Sequence, residues 1–121
     1  MILSEGFEEI EAITPLDLLR RAGIDAIAAS TGPGLVVPGG RGVKIQADRL
    51  LEDCLGETFD MVILPGGPGV DQLRKDTRVT EMIRRSHAAG VPIAAICAAP
   101  VILADAGVAQ RGMLKPVGKT L

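Results

Sequence analysis

Cys97 and Glu11 are the two side chains of this sequence whose types and surroundings fit catalytic chemistry. Cys97 lies at the centre of the motif A-A-I-C-A-A-P. The apolar residues 91–96 before it are expected to form a strand buried on both faces. The Ala-rich residues 98–106 after it are expected to form a helix. The cysteine would therefore occupy a sharp turn between a strand and a helix.

A turn of this kind is crowded, so its neighbours must be small. Ala95 and Ala99 meet that requirement, as glycines do in the G-x-S-x-G nucleophile elbow. The N-terminus of a helix favours the thiolate, whose pKa can fall from about 8.5 to about 3.5–7.5. The alternative interpretation is a buried cysteine that packs as a small hydrophobic residue. The motif alone leaves both interpretations of Cys97 open, and the neighbouring loops favour a reactive thiol.

Glu11 is the candidate proton carrier for this thiol. Its neighbours Ile10 and Ile13 are apolar, and the first helix is expected to carry Glu11 over the edge of the sheet, whereas Glu8 and Glu9 are expected to face solvent. A carboxyl group buried beside a thiolate should keep its proton, donate a hydrogen bond to sulfur and move protons on a substrate. The alternative is a solvated acid at the start of a helix.

A glycine-rich loop, P-G-G-P-G at residues 65–69, follows an apolar segment that is expected to be a strand, residues 59–64. Gly66 and Gly67 could bring backbone N–H groups close to a ligand, because glycine has no Cβ. Together with the N–H of Ala98 they would form an oxyanion hole, in which each donor typically contributes about 2.7–4 kcal/mol. An ordinary turn at a strand end is the alternative.

The elements that must position these residues alternate along the chain. Residues 8–22 are expected to form a helix that buries the stripe Ile10, Ile13, Leu16, Leu19 and Ala22. Pro15 predicts either a turn followed by a new helix with Thr14 as its N-cap, or one kinked helix. Residues 24–30 predict a strand, residues 31–45 a small hairpin and residues 48–55 a short helix. This alternation predicts an α/β sandwich with a mostly parallel sheet, whose sites lie at the carboxyl ends of the strands.

Composition and charge exclude several classes of function. The 121 residues fit a single domain, 1–121, with a net charge of −2 and no basic stripe, and only 2% of the residues are aromatic. A nucleic-acid partner is therefore not expected. No apolar run is long enough to span a bilayer, so we expect no membrane partner and a cytoplasmic protein. Two distant cysteines and one histidine, His87, predict neither a metal site nor a redox dithiol.

Five motifs taken together are more specific than any one of them. They are G-F-E-E-I-E-A at residues 6–12, P-L-D-L-L-R-R-A-G at 15–23, G-R-G-V-K-I-Q-A-D at 40–48, F-D-M-V-I-L-P-G-G-P-G at 59–69 and A-A-I-C-A-A-P at 94–100. This combination resembles the ThiJ/PfpI family, and within it the branch of the DJ-one protein and its bacterial relatives, which are often labelled protein deglycases. The resemblance extends over nearly the whole chain, from residue 2 to about residue 107.

The resemblance implies a flavodoxin-like three-layer sandwich, similar to class I glutamine amidotransferases, and a homodimer. It also implies a reactive Cys97 that is hydrogen-bonded to a protonated Glu11, and a protein that needs no cofactor. The oxyanion-type amides of the family would fall on Gly66, Gly67 and Ala98, whereas Arg41, Asp17 and Arg21 match positions near the dimer contact and the site. Family activities include glyoxalase or deglycase chemistry on methylglyoxal and its adducts, sensing of oxidative stress through cysteine oxidation, and chaperone-like behaviour.

The chain also departs from the family pattern. Ala98 replaces the histidine of the protease-like branch, which disfavours peptidase activity, and no histidine follows Cys97. A glutamine-amidotransferase-like hydrolase would need such a histidine. The chain starts inside the first strand of the family, and residues 111–121 depart from its pattern, so we expect a member that lacks C-terminal elements and exposes a sheet edge. The alternatives to an enzyme are a redox sensor or chaperone acting through Cys97, and an inactive relative.

Overall fold

The structure is a computed structural model that describes residues 1–109 of the chain. The expectation for the tail, residues 111–121, therefore lies outside the described residues. Within residues 1–109, seven strands and four α-helices follow one another, together with a 3-10 helix at Leu51–Cys54. The strands are β1 (Ile2–Leu3), β2 (Ala29–Ser30), β3 (Val36–Pro38), β4 (Lys44–Gln46), β5 (Arg49–Leu50), β6 (Val62–Leu64) and β7 (Ile93–Ala95). The helices are α1 (Glu9–Arg21), α2 (Val70–Lys75), α3 (Thr77–Ala88) and α4 (Pro100–Asp105).

The sheet is parallel, as the alternation of elements predicts. Strand β2 pairs with β1 on one side and with β5 on the other, and β6 pairs with β7. Contacts between β1 and β6 bring these two pairings side by side. The hairpin of β3 and β4 is antiparallel, with Val37 opposite Ile45, and it confirms the predicted hairpin. Residues 48–55 match the predicted short helix in part, because Leu51–Cys54 form a 3-10 helix while Arg49–Leu50 form strand β5.

Apolar side chains pack on both faces of the sheet, which gives the three layers of a flavodoxin-like sandwich. One cluster contains Leu64 of β6 together with residues of α2, α3 and α4, such as Leu73, Ile83 and Ile102. A second cluster contains Leu3 and residues of α1 and the hairpin, including Leu16. The carboxyl ends of β1, β6 and β7 lead directly into the three loops that carry the predicted site.

Helix α1 corrects the predicted apolar stripe. It runs through Pro15 as one helix, and its N-cap is Glu8, whose carboxylate accepts the Glu11 N–H at 2.8 Å, rather than Thr14. Its buried residues are Glu9, Ala12 and Leu16, whereas Ile10, Ile13 and Ala22 are exposed. Ala12 is fully buried, and its small side chain allows the backbone of α1 to approach the sheet. The helix face that carries Glu9, Ala12 and Leu16 therefore turns toward the core.

Strand β7 corrects the prediction of a strand buried on both faces. Ala94 is exposed and Ile96, just beyond the strand, is 46% exposed. Among residues 1–109, β6 is the only strand that pairs with β7, so one edge of β7 is open in the described part of the chain. An apolar sequence predicts a strand, but neighbouring elements decide how many of its faces are covered.

Candidate active site

Cys97 stands on a strained turn between β7 and α4. It is the only residue other than glycine with a positive φ among residues 1–109, at 59°. Such a conformation costs about 1–3 kcal/mol for a residue with a Cβ, and strain of this size is concentrated at functional sites. The residue is exposed, while Ala99 beneath it is fully buried and donates its N–H to the Ile96 carbonyl at 3.0 Å. The turn thus presents the thiol outward.

Glu11 meets this turn through Gly66. The Glu11 side chain is half-buried, and its Oε2 accepts the Gly66 N–H at 2.8 Å. A Cβ on Gly66 would stand 2.6 Å from that Oε2 and 2.9 Å from the Cβ of Cys97. The absence of a side chain at Gly66 therefore lets the acid and the thiol approach each other from two different loops.

The pKa of the Cys97 thiol lies above its usual value, which is opposite to the direction predicted from the sequence. Partial desolvation raises the pKa first, and the hydrogen bond to the Glu11 carboxylate and its negative charge raise it further, while the Ala98 N–H lowers it. Helix α4 has only six residues, so its dipole is too short to dominate. The surroundings of Cys97 thus favour the thiol over the thiolate.

A side chain at Gly66 is expected to separate this pair. Replacing Gly66 with alanine should destabilise the protein by about 1–3 kcal/mol, because the new Cβ overlaps Glu11 and the Cys97 turn. Urea unfolding measures this loss. Alanine at Gly56, where no atom lies within 4 Å of the added Cβ, is the matched control and should change the free energy of unfolding by less than about 0.5 kcal/mol. Equal stabilities for the two variants would contradict the close approach.

The remaining amides of the predicted oxyanion hole have different surroundings. The Gly66 N–H is already bound to Glu11, and the Ala98 N–H interacts with the Cys97 sulfur. Gly67 has a φ of 96°, and a Cβ there would come within 2.6 Å of the Glu8 nitrogen. Gly67 and Ala98 therefore remain the predicted donors for a substrate oxygen, and Gly66 orients the acid.

Asp17, Arg21 and Arg41 are not gathered at the thiol. Asp17 and Arg21 form an exposed ion pair at 2.9 Å, one turn apart on α1. Arg41 lies in the turn of the hairpin, and its backbone N–H donates to Oε1 of Glu9 at 2.6 Å. None of the hydrogen bonds within residues 1–109 joins these three side chains to Cys97 or Glu11. Their placement near a dimer contact stays a prediction.

Glu9 lies in a different environment from the one that the sequence predicts. The prediction is an acid that faces solvent, but Glu9 is only 8% exposed, because it lies on the inward face of α1. Its carboxylate presses against Gly39 of the hairpin, where a Cβ would lie 2.6 Å from the Glu9 Cδ. The signal was its spacing of three and seven residues from Ala12 and Leu16, which defines a single helix face.

Other candidate residues and site types lie outside this arrangement. Cys54 is a packing residue, 2% exposed, and His87 is exposed on α3, as predicted. Within residues 1–109, no three His, Cys, Asp or Glu side chains are grouped so that they could hold a metal ion. In the same part of the chain, no helix combines the length and the apolar character needed to cross a membrane.

Comparisons with known proteins show which family and fold this chain resembles. A protein of Drosophila melanogaster named dj-1beta is 42% identical over 111 residues, which are 91% of this chain and 59% of that protein. Its crystal structure superposes with a TM-score of 0.86 over 89% of this chain. A Caenorhabditis elegans protein named glutathione-independent glyoxalase is 40% identical, over 88% of this chain and 58% of its own. A Pyrococcus abyssi protein named deglycase is 34% identical, over 96% of this chain and 71% of its own.

This chain therefore spans somewhat more than half the length of the fly and nematode relatives. The model of the DJ-1/PfpI family matches residues 1–114, nearly the entire sequence. The structural superposition shows that the fold is shared as well as the sequence. At 42% identity, the likeness is not limited to the architecture. The chain belongs to the DJ-1/PfpI family.

Proposed function

We propose that this protein performs cysteine-dependent, cofactor-free chemistry on small carbonyl compounds, with methylglyoxal or its glycated adducts as substrates. The observation that carries the proposal is the exposed Cys97 thiol, held on a strained turn, with the Glu11 carboxyl beside it at Gly66. A nucleophile with a proton acceptor fixed beside it is the minimum needed for attack on an aldehyde carbon. The names of the nematode and archaeal relatives, glyoxalase and deglycase, support the same class of substrate.

The first step follows from the direction of the Cys97 pKa. As the sulfur attacks the aldehyde carbon, a C–S bond forms, the C=O π electrons move to oxygen, and Glu11 accepts the thiol proton and delivers it to that oxygen. The product is a hemithioacetal. The N–H groups of Gly67 and Ala98 would stabilise the developing oxyanion.

The later steps need only a proton carrier and water. Glu11 removes the proton from the former aldehyde carbon while the ketone oxygen takes up a proton from water, which gives an enediol. Glu11 then returns its proton to the former ketone carbon, and the hydroxyl on the former aldehyde carbon gives its proton to water as its C=O bond forms, so the hemithioacetal becomes a thioester of lactate. Water then displaces the Cys97 thiol, and lactate leaves. Methylglyoxal and one water thus become lactate with no net oxidation or reduction, so no redox cofactor is required.

Formation of lactate from methylglyoxal, followed by proton NMR without glutathione, tests this function. We expect lactate to appear in proportion to the protein concentration. Replacement of Cys54 with alanine is the matched control and should leave the rate within about twofold, because this residue packs in the core and does not reach the site. A folded wild-type protein that forms no lactate and removes no glycated adduct would overturn the proposal.

A redox sensor is the second candidate function, because the two free thiols differ so strongly in access. Cys97 is exposed and Cys54 is buried, so mild peroxide should oxidise Cys97 first to the sulfenic and then to the sulfinic acid. Mass spectrometry of the two tryptic peptides measures the order. Oxidation of Cys54 before Cys97 would reject this function. Free thiols also fit a reducing compartment such as the cytoplasm, where we place the protein.

We further propose that the protein forms a homodimer through the outer face of α1. Ile10, which is 74% exposed, and Ile13 lie on the same helix stripe as the Asp17–Arg21 ion pair. Exposed apolar residues framed by charges are typical of contact surfaces between proteins. A second copy would bury both isoleucines. Sedimentation velocity checks this, and a monomer at every concentration would contradict it.

A further inference from the structure

Glu9 connects the first turn of α1 to the hairpin. Its Oε1 accepts the Arg41 N–H at 2.6 Å. Burial by itself would raise the pKa of the Glu9 carboxyl, but the N–H groups of Arg41, Glu9 itself and Val43 outweigh burial and hold the pKa below its usual value. The carboxylate is therefore charged near neutral pH and is held by the backbone of a loop that is distant in sequence.

Three backbone segments are linked in series by hydrogen bonds. They are the hairpin turn, the loop of residues 5–8 and Gly66, which contacts the catalytic pair. The Gly40 N–H donates to the Phe7 carbonyl at 2.8 Å, and the Gly6 N–H donates to the Pro38 carbonyl at 2.9 Å. The loop of residues 5–8 is bonded in turn to Gly66, because the Glu8 N–H donates to the Gly66 carbonyl at 2.9 Å. Gly66 then holds Glu11. A displacement of the hairpin turn would thus reach Glu11 through hydrogen-bonded backbone alone.

A gain in stability does not by itself explain why the carboxylate of Glu9 is buried. Oε2 of Glu9 has no hydrogen-bond partner among the described residues, although it is shielded from water. A buried acceptor without a partner typically costs about 1–3 kcal/mol. Proteins retain such local defects where function requires them. The cost of this unpartnered oxygen is explained if Glu9 fixes the geometry of the hairpin turn and of the loop of residues 5–8.

We infer that Glu9 is a positioning residue, whose carboxylate clamps the hairpin turn onto α1 and thereby holds Glu11 against Cys97. The residue touches neither substrate nor the reacting atoms. Its role in turnover rests on the proposed function, whereas its effect on the thiol does not. Loss of the clamp loosens the loop of residues 5–8, lets Glu11 move away from sulfur, and lowers the Cys97 pKa toward its usual value.

The test compares Glu9→Ala and Glu9→Gln with wild type by two readouts that need no substrate. The first is amide hydrogen exchange at Arg41 and Val43, and the second is the rate of Cys97 alkylation by iodoacetamide at neutral pH. For Glu9→Ala we expect exchange to be at least tenfold faster and alkylation at least threefold faster. Glu9→Gln keeps one acceptor oxygen, so its effects should be intermediate, and it replaces Glu9→Ala in the test if the latter does not fold.

Glu5→Gln is the matched control, because Glu5 is an exposed acid of the same loop, and it should leave both rates within about twofold. Faster exchange with unchanged alkylation would make Glu9 a purely structural clamp and would overturn the inference. Unchanged exchange would overturn it as well, since the clamp would then not exist. A wild-type protein without methylglyoxal turnover would refute the proposed function and leave these two readouts valid.

Discussion

Replacing Cys97 with serine is expected to lower methylglyoxal turnover by at least about 1,000-fold. The serine hydroxyl is nearly the same size as the thiol, so the strained turn should keep its shape. It is a much weaker nucleophile, however, because a hydroxyl group holds its proton far more tightly than a thiol does. The rate of lactate formation, measured by proton NMR, gives the effect directly.

The stability of the same variant separates chemistry from folding. Cys97 is exposed, so Cys97→Ser should change the free energy of unfolding by less than about 0.5 kcal/mol in urea titrations. Cys54→Ala, which removes the buried thiol, should show the opposite pattern, with turnover retained and stability reduced. Turnover in Cys97→Ser equal to that of wild type would show that any lactate arises without this thiol.

Replacing Glu11 with glutamine is expected to have opposite effects on turnover and on thiol reactivity. Turnover should fall by about 100-fold or more, because the amide cannot accept the thiol proton or carry it between the two substrate carbons. Alkylation of Cys97 at neutral pH should become at least threefold faster. The negative charge of Glu11 raises the Cys97 pKa, so removal of the charge lowers that pKa and increases the thiolate fraction at any pH below it.

The pH dependence of alkylation provides the sign of this effect. The midpoint at which the rate rises should lie at lower pH in Glu11→Gln than in wild type. Glu5→Gln removes the same charge from an exposed position and should leave both the midpoint and turnover unchanged. A midpoint at higher pH in Glu11→Gln would mean that Glu11 stabilises the thiolate, as the sequence predicts, instead of raising the pKa of the Cys97 thiol.

The difference concerning Glu9 shows where reasoning from sequence ends. Three acids occur within four positions, at Glu8, Glu9 and Glu11, and composition cannot separate them. In the structure one caps the helix, one is buried against the hairpin and one reaches Gly66. A helix rotates by about 100° per residue, so each acid faces a different neighbour, and the neighbours come from distant parts of the chain.

The sequence by itself determined the parallel α/β architecture, the turn at Cys97, the packing role of Cys54 and the family, because alternating apolar segments and glycine-rich loops are local signals. Tertiary structure alone decided which face of α1 is buried, that Glu9 binds the hairpin, and that the Cys97 pKa is raised rather than lowered. The physical reason is that burial and hydrogen bonding depend on groups far apart in sequence. A thiol responds to the carboxylate and amides that surround it, and those are set only when the loops after β1, β6 and β7 meet.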